Sequence, residues 1–238
     1  MEDFERLQQI IDESSKIVFF GGAGVSCESG IPDFRSPDGL YNQKYKYPPE
    51  AIVSHSFFTY RTKEFFEFYR DKMLFPDAKP NAAHKYLAEL EKRGKLTAVV
   101  TQNIDGLHQA AGSKNVIELH GSVKRNYCSS CGKFYPLDFI VKSAGVPLCS
   151  CGGIVKPDVV LYEEPLNDED MRKAITAISN ADTLIIGGTS LSVYPAAGFV
   201  NFFKGKHTVV IDKAIKPLSS NTRLHICAPI GELFKKLK

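Results

Sequence analysis

The sequence predicts an α/β protein built on a doubly wound, mostly parallel sheet, and three observations carry that prediction. Short apolar runs rich in valine and isoleucine recur along the 238 residues. Amphipathic stretches of helical period lie between them, and a glycine, asparagine or serine follows most of the runs. Runs that are apolar on both faces belong in a sheet covered by helices on both sides, and strand–helix alternation makes such a sheet parallel. With 43% hydrophobic and 24% charged residues, the chain is neither disordered nor fibrous.

In chain order, strands are expected over residues 16–20, 96–101, 116–119, 159–162, 183–186 and 208–211. Helices are expected over 3–13, where Phe4, Leu7, Ile10 and Ile11 fall at helical spacing, and over 82–93, 168–179 and 230–237. Two segments break the alternation. Residues 41–75 are crowded with aromatics and read as a helical insertion. Residues 122–156 hold four of the six cysteines and little apolar mass, so something other than a hydrophobic core is expected to hold them together.

Several classes fall away on composition. No apolar run approaches the roughly 18 residues of a membrane-spanning helix. The charged start, Met1-Glu2-Asp3-Phe4-Glu5-Arg6, has no signal-peptide apolar stretch, so a cytoplasmic protein is expected. Thirty Lys plus Arg against 27 Asp plus Glu leave a scattered +3, too little to demand a nucleic-acid partner. The expectation is a monomer with neither a membrane nor a specific nucleic-acid partner.

Cysteines in such a chain stay reduced, which favours metal ligation over disulfides. Cys128-Ser129-Ser130-Cys131 and Cys149-Ser150-Cys151 are two tight thiolate pairs a ribbon's length apart. Their spacing suits a four-cysteine zinc site, with Gly132, Gly152 and Gly153 in the knuckles. Two unrelated thiol pairs, or a redox pair at Cys128 and Cys131, are the alternatives. Four thiolates leave no position for water, so a zinc ion there is structural.

The first expected strand runs into Gly21-Gly22-Ala23-Gly24-Val25-Ser26, a glycine turn expected to open a helix. Such a turn lets backbone N–H groups approach a pyrophosphate. It departs from the dehydrogenase fingerprint, because Cys27 stands where a third glycine belongs and no acidic strand end follows at the required distance. A nucleotide site outside ordinary hydride transfer is the reading. Ser29-Gly30-Ile31-Pro32-Asp33-Phe34-Arg35 then sets a rigid proline, a carboxylate, an aromatic and a guanidinium in one loop. The plain alternative is a surface turn with one weak ion pair.

Ligands of open α/β sheets lie beyond the carboxyl ends of the strands. There the sequence places Gln102-Asn103-Ile104-Asp105, then His120-Gly121, then Gly187-Gly188-Thr189-Ser190. A rim histidine of near-neutral pKa suits general-base work, although a lone histidine is more often structural.

Taken together, these motifs resemble the sirtuins, over nearly the whole chain and with little beyond a minimal catalytic core. Gly22–Arg35, Thr101–His108, His120-Gly121, the four cysteines and Gly188-Thr189-Ser190 follow in the family order. The resemblance implies an NAD-dependent protein-lysine deacetylase. It implies a Rossmann-like domain (1–35, 76–121 and 157–238) and a small module made of the insertion (36–75) and a zinc ribbon (122–156). Gly22, Ala23, Gly24, Ser26, Gly188, Thr189 and Ser190 would then hold the phosphates and nearby hydroxyls of NAD. Ile31, Asp33 and Ile104 would line the nicotinamide pocket, and Gln102, Asn103 and Asp105 the ribose. Phe34 would shield the reacting sugar and Arg35 would order the loop. Asp212, Lys213 and Ala228 would complete the cofactor site.

In the implied chemistry, nicotinamide leaves and the acyl-lysine oxygen takes its place on the ribose carbon. His120, assisted by Asn103, then accepts the proton that lets the 2′-oxygen attack. Water completes the release of lysine and 2′-O-acetyl-ADP-ribose. ADP-ribosyl transfer and simple NAD hydrolysis are the rival activities. Acetyl-lysine peptides would enter as an extra strand between Val159, Val160 and Tyr162 on one side and Leu191, Ser192 and Val193 on the other. The chain departs from the family pattern in two places: Asp212 stands where asparagine is common, and Tyr162-Glu163-Glu164 replaces Phe-Gly-Glu. A further implication concerns the acyl group. Relatives that prefer acidic acyl chains resemble one another in a Tyr-x-x-Arg pair, and this chain has Tyr69 and Lys72 there, so neutral acyl groups are expected.

Overall fold

The computed structural model describes residues 2–34, 39–40, 45–213 and 224–238. Among them are strands β1 (Ile17–Gly21), β2 (Leu96–Thr101), β3 (Val116–Glu118), β4 (Gly121–Cys128), β5 (Phe134–Pro136), β6 (Val155–Val159), β7 (Thr183–Gly187), β8 (His207–Asp212) and β9 (Leu224–Cys227). Six form one sheet in the order β3-β2-β1-β7-β8-β9, every neighbouring pair parallel. The order reverses between β1 and β7, which opens a crevice at their carboxyl ends.

Strand β1 explains why the sheet is covered on both faces. Ile17 and Phe19 point into one core with Leu7 and Ile11 of helix α1 (Asp3–Glu13). Val18 and Phe20 point into the other. All four are fully buried, each worth about 1.5–3 kcal/mol relative to exposure. Short helices α2 (Pro49–Ile52) and α3 (His55–Tyr60) and the longer α4 (Thr62–Lys72) form the insertion. Helix α5 (Ala82–Lys92) places Leu87 and Leu90 in the first core. It starts at Asn81, whose side chain accepts from Ala83 N–H. Between β2 and β3 lies α6 (Leu107–Ala111), and α7 (Leu137–Lys142) follows β5. Helix α8 (Asp168–Asn180) closes the second core with Ala174 and Ile178. Helix α9 (Ile230–Phe234) adds Ile230, Leu233 and Phe234 to the first.

Four expectations need correction. The strand expected over 159–162 is β6, which ends at Val159; beyond it Tyr162 makes an isolated bridge to Ser54. The glycine turn opens no α-helix but two 3₁₀ turns, Ala23–Val25 and Cys27–Ser29. The last helix stops at Phe234 rather than 237, because the chain turns so that Gln8, Tyr86 and Arg93 hold the backbone of Lys238. Residues 122–156 also do have a core. Strands β5-β4-β6 form a small sheet, and Val123, Tyr135, Leu137, Ile140 and Val155 share one cluster with Phe58, Phe65, Phe66 and Tyr69 of the insertion. The aromatics supply the apolar mass that the cysteine segment lacks.

Candidate active site

Register sets the geometry of the rim. Gly21 is level with Thr101 on one side and Gly187 on the other, so three strands end together. The next residue of each enters a cleft of about 810 Å³. Gly24 N–H donates to the Gly188 carbonyl at 2.8 Å. A Cβ on Gly24 would lie 2.7 Å from Gly188 Cα, and one on Gly188 would lie 2.4 Å from Val25 N. Gly188 also adopts φ +58. Two backbones touch here, and only glycine permits the approach. Asn81 holds the loop from behind, donating to Val25 O at 2.7 Å and Ser29 Oγ at 3.0 Å.

A polar network joins this loop to the end of β2. Asn103 Nδ2 donates to Ser26 Oγ at 3.0 Å, and the Ser26 hydroxyl donates to Asp105 Oδ2 at 2.6 Å. The other Asp105 oxygen accepts from Leu107 N–H at 2.8 Å. Gln102 Nε2 donates to Thr189 Oγ1 at 3.0 Å, tying in the rim of β7. Ser26 and Asn103 are buried, so each has its partners fixed before any ligand arrives.

His120 lies two residues beyond β3, with Nδ1 at 3.0 Å from the Gln102 carbonyl. A carbonyl only accepts, so Nδ1 carries the proton and Nε2 is the acceptor nitrogen. Burial lowers the pKa of His120 below its ordinary 6.5, and the hydrogen bond to Gln102 opposes that only in part. The ring is therefore neutral at pH 7.

Every cofactor residue expected from the sequence lines this one cleft, except Arg35, which lies outside the described residues. Asp212, Lys213 and Ala228 reach it from β8 and the end of β9. Val159, Val160, Tyr162 and Val193 also line it, but Leu191 and Ser192 do not. Leu191 has φ +52 and packs on the second core, and Ser192 Oγ lies 2.5 Å from Ser190 Oγ. Sequence reasoning missed Cys27, Lys124 and Tyr194, which share the lining. The place of Cys27 inside the glycine loop was a signal. Lys124 had none, because it reaches the cleft by leaning over Gly106, 18 positions earlier. Burial, then the charge of Asp33, pushes the Cys27 thiol up, so it is a poor nucleophile.

The four expected metal ligands converge. Cys128, Cys131, Cys149 and Cys151 place their Sγ atoms within 4.8 Å of one another, with Cys128–Cys151 at 3.5 Å and Cys131–Cys149 at 3.6 Å. A tetrahedral ion with bonds of about 2.3 Å needs sulfurs roughly 3.8 Å apart. The backbone N–H of Cys151 and then the Tyr135 hydroxyl, 3.1 Å from Sγ, lower Cys149 to about 5. Cys151, despite the backbone N–H of Gly153, is pushed up to about 12 by hydrogen bonding to Cys149 and Cys128. Four crowded thiols cannot all ionise alone, and a divalent cation removes that conflict. The donor set fits zinc.

Comparison with known proteins agrees with this geometry. The Sir2 family model matches residues 22–195. An NAD-dependent protein deacetylase of Clostridium perfringens is 60% identical over 242 residues, covering 100% of this chain and 99% of that protein. One of Clostridium acetobutylicum is 57% identical over 239 residues, covering 99% and 98%. A solved Sir2 structure with deacetylated p53 peptide and 3′-O-acetyl ADP ribose superposes with a TM-score of 0.90 at 38% identity, covering 98% of this chain and 96% of that one. Another, with p53 peptide and NAD+, gives 0.86 at 39% identity, covering 99% and 97%. Matching motifs, sheet order and cysteine cluster lead to one statement: this chain belongs to the Sir2 family, the sirtuins.

Proposed function

We propose that the chain is an NAD-dependent protein-lysine deacetylase in which His120 is the general base. The observation that carries the reading is a neutral imidazole with an acceptor Nε2, lining the same cleft as the Asn103–Ser26–Asp105 network and the segment 159–162. The names of the clostridial relatives, and neighbours solved with peptide and acetyl ADP ribose, support it.

When bound, NAD supplies an activated ribose carbon from which nicotinamide leaves and an ADP-ribose that carries away the acetyl group. The chain's residues do the rest. N–H groups of the glycine loop, with Ser190, hold the pyrophosphate. Ile31, Asp33 and Ile104 hold the nicotinamide, and Phe34 keeps water from the reacting sugar. Gln102, Asn103 and Asp105 orient the ribose, and His120 Nε2 accepts its hydroxyl proton, with Asn103 beside it. Asp212 accepts from ribose hydroxyls, and its charge disfavours a 2′-phosphate. Val159, Val160, Tyr162 and Val193 flank the acetyl-lysine peptide. A zinc ion held by the four cysteines stiffens the small module without entering the reaction. Reduced thiolates of this kind suit the cytoplasm.

Incubation with NAD, with and without an acetyl-lysine peptide, tests the reading. Nicotinamide release that depends on the peptide supports it. Equal release without peptide would make the protein an NAD hydrolase, and label transferred from NAD to protein would make it an ADP-ribosyltransferase.

A further inference from the structure

The crossing from the large sheet to the small one contains an irregularity that the reaction, as described above, leaves unexplained. Strands β4 and β6 pair as Gly121↔Val159 and Ser122↔Asp158, and the next pair is Asn126↔Pro157. Three residues of β4, Val123, Lys124 and Arg125, are therefore looped out against adjacent residues of β6. Bulges re-aim side chains, and they recur beside active sites. Here Val123 and Lys124 line the cleft, and Arg125 ties together the two strands that end beside it. Val123 N–H donates to the Ile104 carbonyl at 2.9 Å, and Lys124 leans over Gly106. Arg125 donates from Nη1 to Glu118 Oε2 and from Nε to Asp158 Oδ2, both at 2.7 Å.

The two carboxylates bracket the centre. Glu118, nearly buried, is the last residue of β3 and stands two before His120; Asp158 stands two before Val160. Between them the His120 carbonyl accepts from Val160 N–H at 3.0 Å. Gly121 adopts φ +75, and a Cβ there would lie 1.9 Å from the Asp158 carbonyl, so the strands cross in contact. One guanidinium thus spans the two segments that carry the expected base and the expected peptide edge.

We propose that Arg125 is a positioning residue for deacetylation: by holding Glu118 and Asp158 in one fork, it fixes His120 against Val160 and so sets the base relative to the acetyl-lysine. This rests on the deacetylase reading above. The geometry requires arginine, because a lysine ammonium is a single point that cannot hold two carboxylates in fixed directions. A misplacement of about 1 Å is enough to cost a reaction up to 100-fold.

The test compares wild-type, Arg125→Met, Arg125→Lys and the double variant Arg125→Met with Glu118→Gln. Each is assayed for turnover of an acetyl-peptide, for KM of NAD and of peptide, and for Tm. Arg125→Met alone leaves Glu118 buried and unpaired, so its Tm falls. The double variant removes that stranded charge and recovers Tm. We expect kcat to stay down about tenfold or more in both, with peptide KM raised and NAD KM within about twofold of wild type. Arg125→Lys falls between. Recovery of kcat together with Tm in the double variant, or a kcat unchanged in Arg125→Met, overturns the proposal while leaving the deacetylase reading intact. A folded, zinc-loaded wild-type protein that does not turn over the peptide overturns both.

Discussion

The Gln102 carbonyl fixes which nitrogen of His120 carries a proton, at 3.0 Å from Nδ1. Gln102 follows β2 and His120 follows β3, so the pairing of two parallel strands sets the tautomer. His120→Ala should cut deacetylation by roughly 10²–10⁴-fold while Tm and NAD affinity stay near wild type. Near wild-type turnover in that variant would refute the assignment.

The same ring predicts a pH profile. Burial holds its pKa below 6.5, and a general base works only when neutral. The rate on acetyl-peptide should therefore be flat near neutrality, with its acid limb at a pH below 6.5. Activity that instead falls away between pH 8 and pH 7 would contradict a depressed imidazole.

Zinc is the next expectation. One ion per chain should survive dialysis, and replacing any one of Cys128, Cys131, Cys149 or Cys151 by alanine should cost stability before chemistry. Structural zinc contributes on the order of 10 kcal/mol in small domains, so a loss of several kcal/mol is the expected scale. Elemental analysis that finds no zinc in active, reduced protein would remove the idea.

Acyl preference follows from Lys72. Its side chain lines the cleft, but its ammonium is already paired with Asp71 at 3.0 Å. Arg70 is turned elsewhere, stacking over Phe66 and donating to the Gly145 carbonyl at 2.6 Å. Among the described residues that line the cleft there is no arginine, so none offers a planar two-pronged partner for an acyl carboxylate, whose desolvation would be costly. On one peptide sequence, kcat/KM should be at least tenfold higher for acetyl-lysine than for succinyl-lysine. Faster desuccinylation would sink the claim.

Acid sensitivity has a specific source beneath the cofactor loop. His84 and His108 are buried, with ring centroids 4.7 Å apart. Burial lowers His84 to about 4, with Asp105 opposing, and lowers His108 to about 3, with His84 adding to the effect. Unfolded imidazoles titrate near 6.5, so below that pH the unfolded chain binds protons that the folded one refuses. Their stabilising contribution is complete above pH 6.5 and is lost as pH falls from there through about 4 and about 3. Each pH unit in that window costs up to about 1.4 kcal/mol per histidine. The urea midpoint should drop between pH 6.5 and 5.5, where few carboxylates titrate, and a His108→Gln variant should show a smaller drop. A midpoint independent of pH across that range would contradict the account.

Much of the site was legible because its residues follow strand ends in contiguous motifs, and a parallel sheet brings all such ends to one rim. The first helix, from Asp3 to Glu13, was legible from the helical spacing of Phe4, Leu7, Ile10 and Ile11. What escaped depends on contacts remote in sequence. Strand β9 was missed because Leu224–Cys227 is a four-residue edge strand with His225 and Cys227 on its less buried side. The core of the cysteine segment was hidden because part of it comes from Phe58, Phe65, Phe66 and Tyr69, more than 50 positions before the residues they cover. Leu191 was expected at the cleft, but a left-handed backbone carries its side chain to the sheet's core instead. The bulge at Arg125 has no local signature, since only the register of β6 reveals it.

The most direct test of the central claim follows the acetyl group. The protein is incubated with NAD and a peptide whose lysine carries a labelled acetyl, and the products are resolved by mass spectrometry. The account predicts that nicotinamide, free lysine peptide and labelled acetyl-ADP-ribose form one for one. Labelled free acetate as the primary product, or nicotinamide and ADP-ribose forming while the peptide keeps its label, would contradict it.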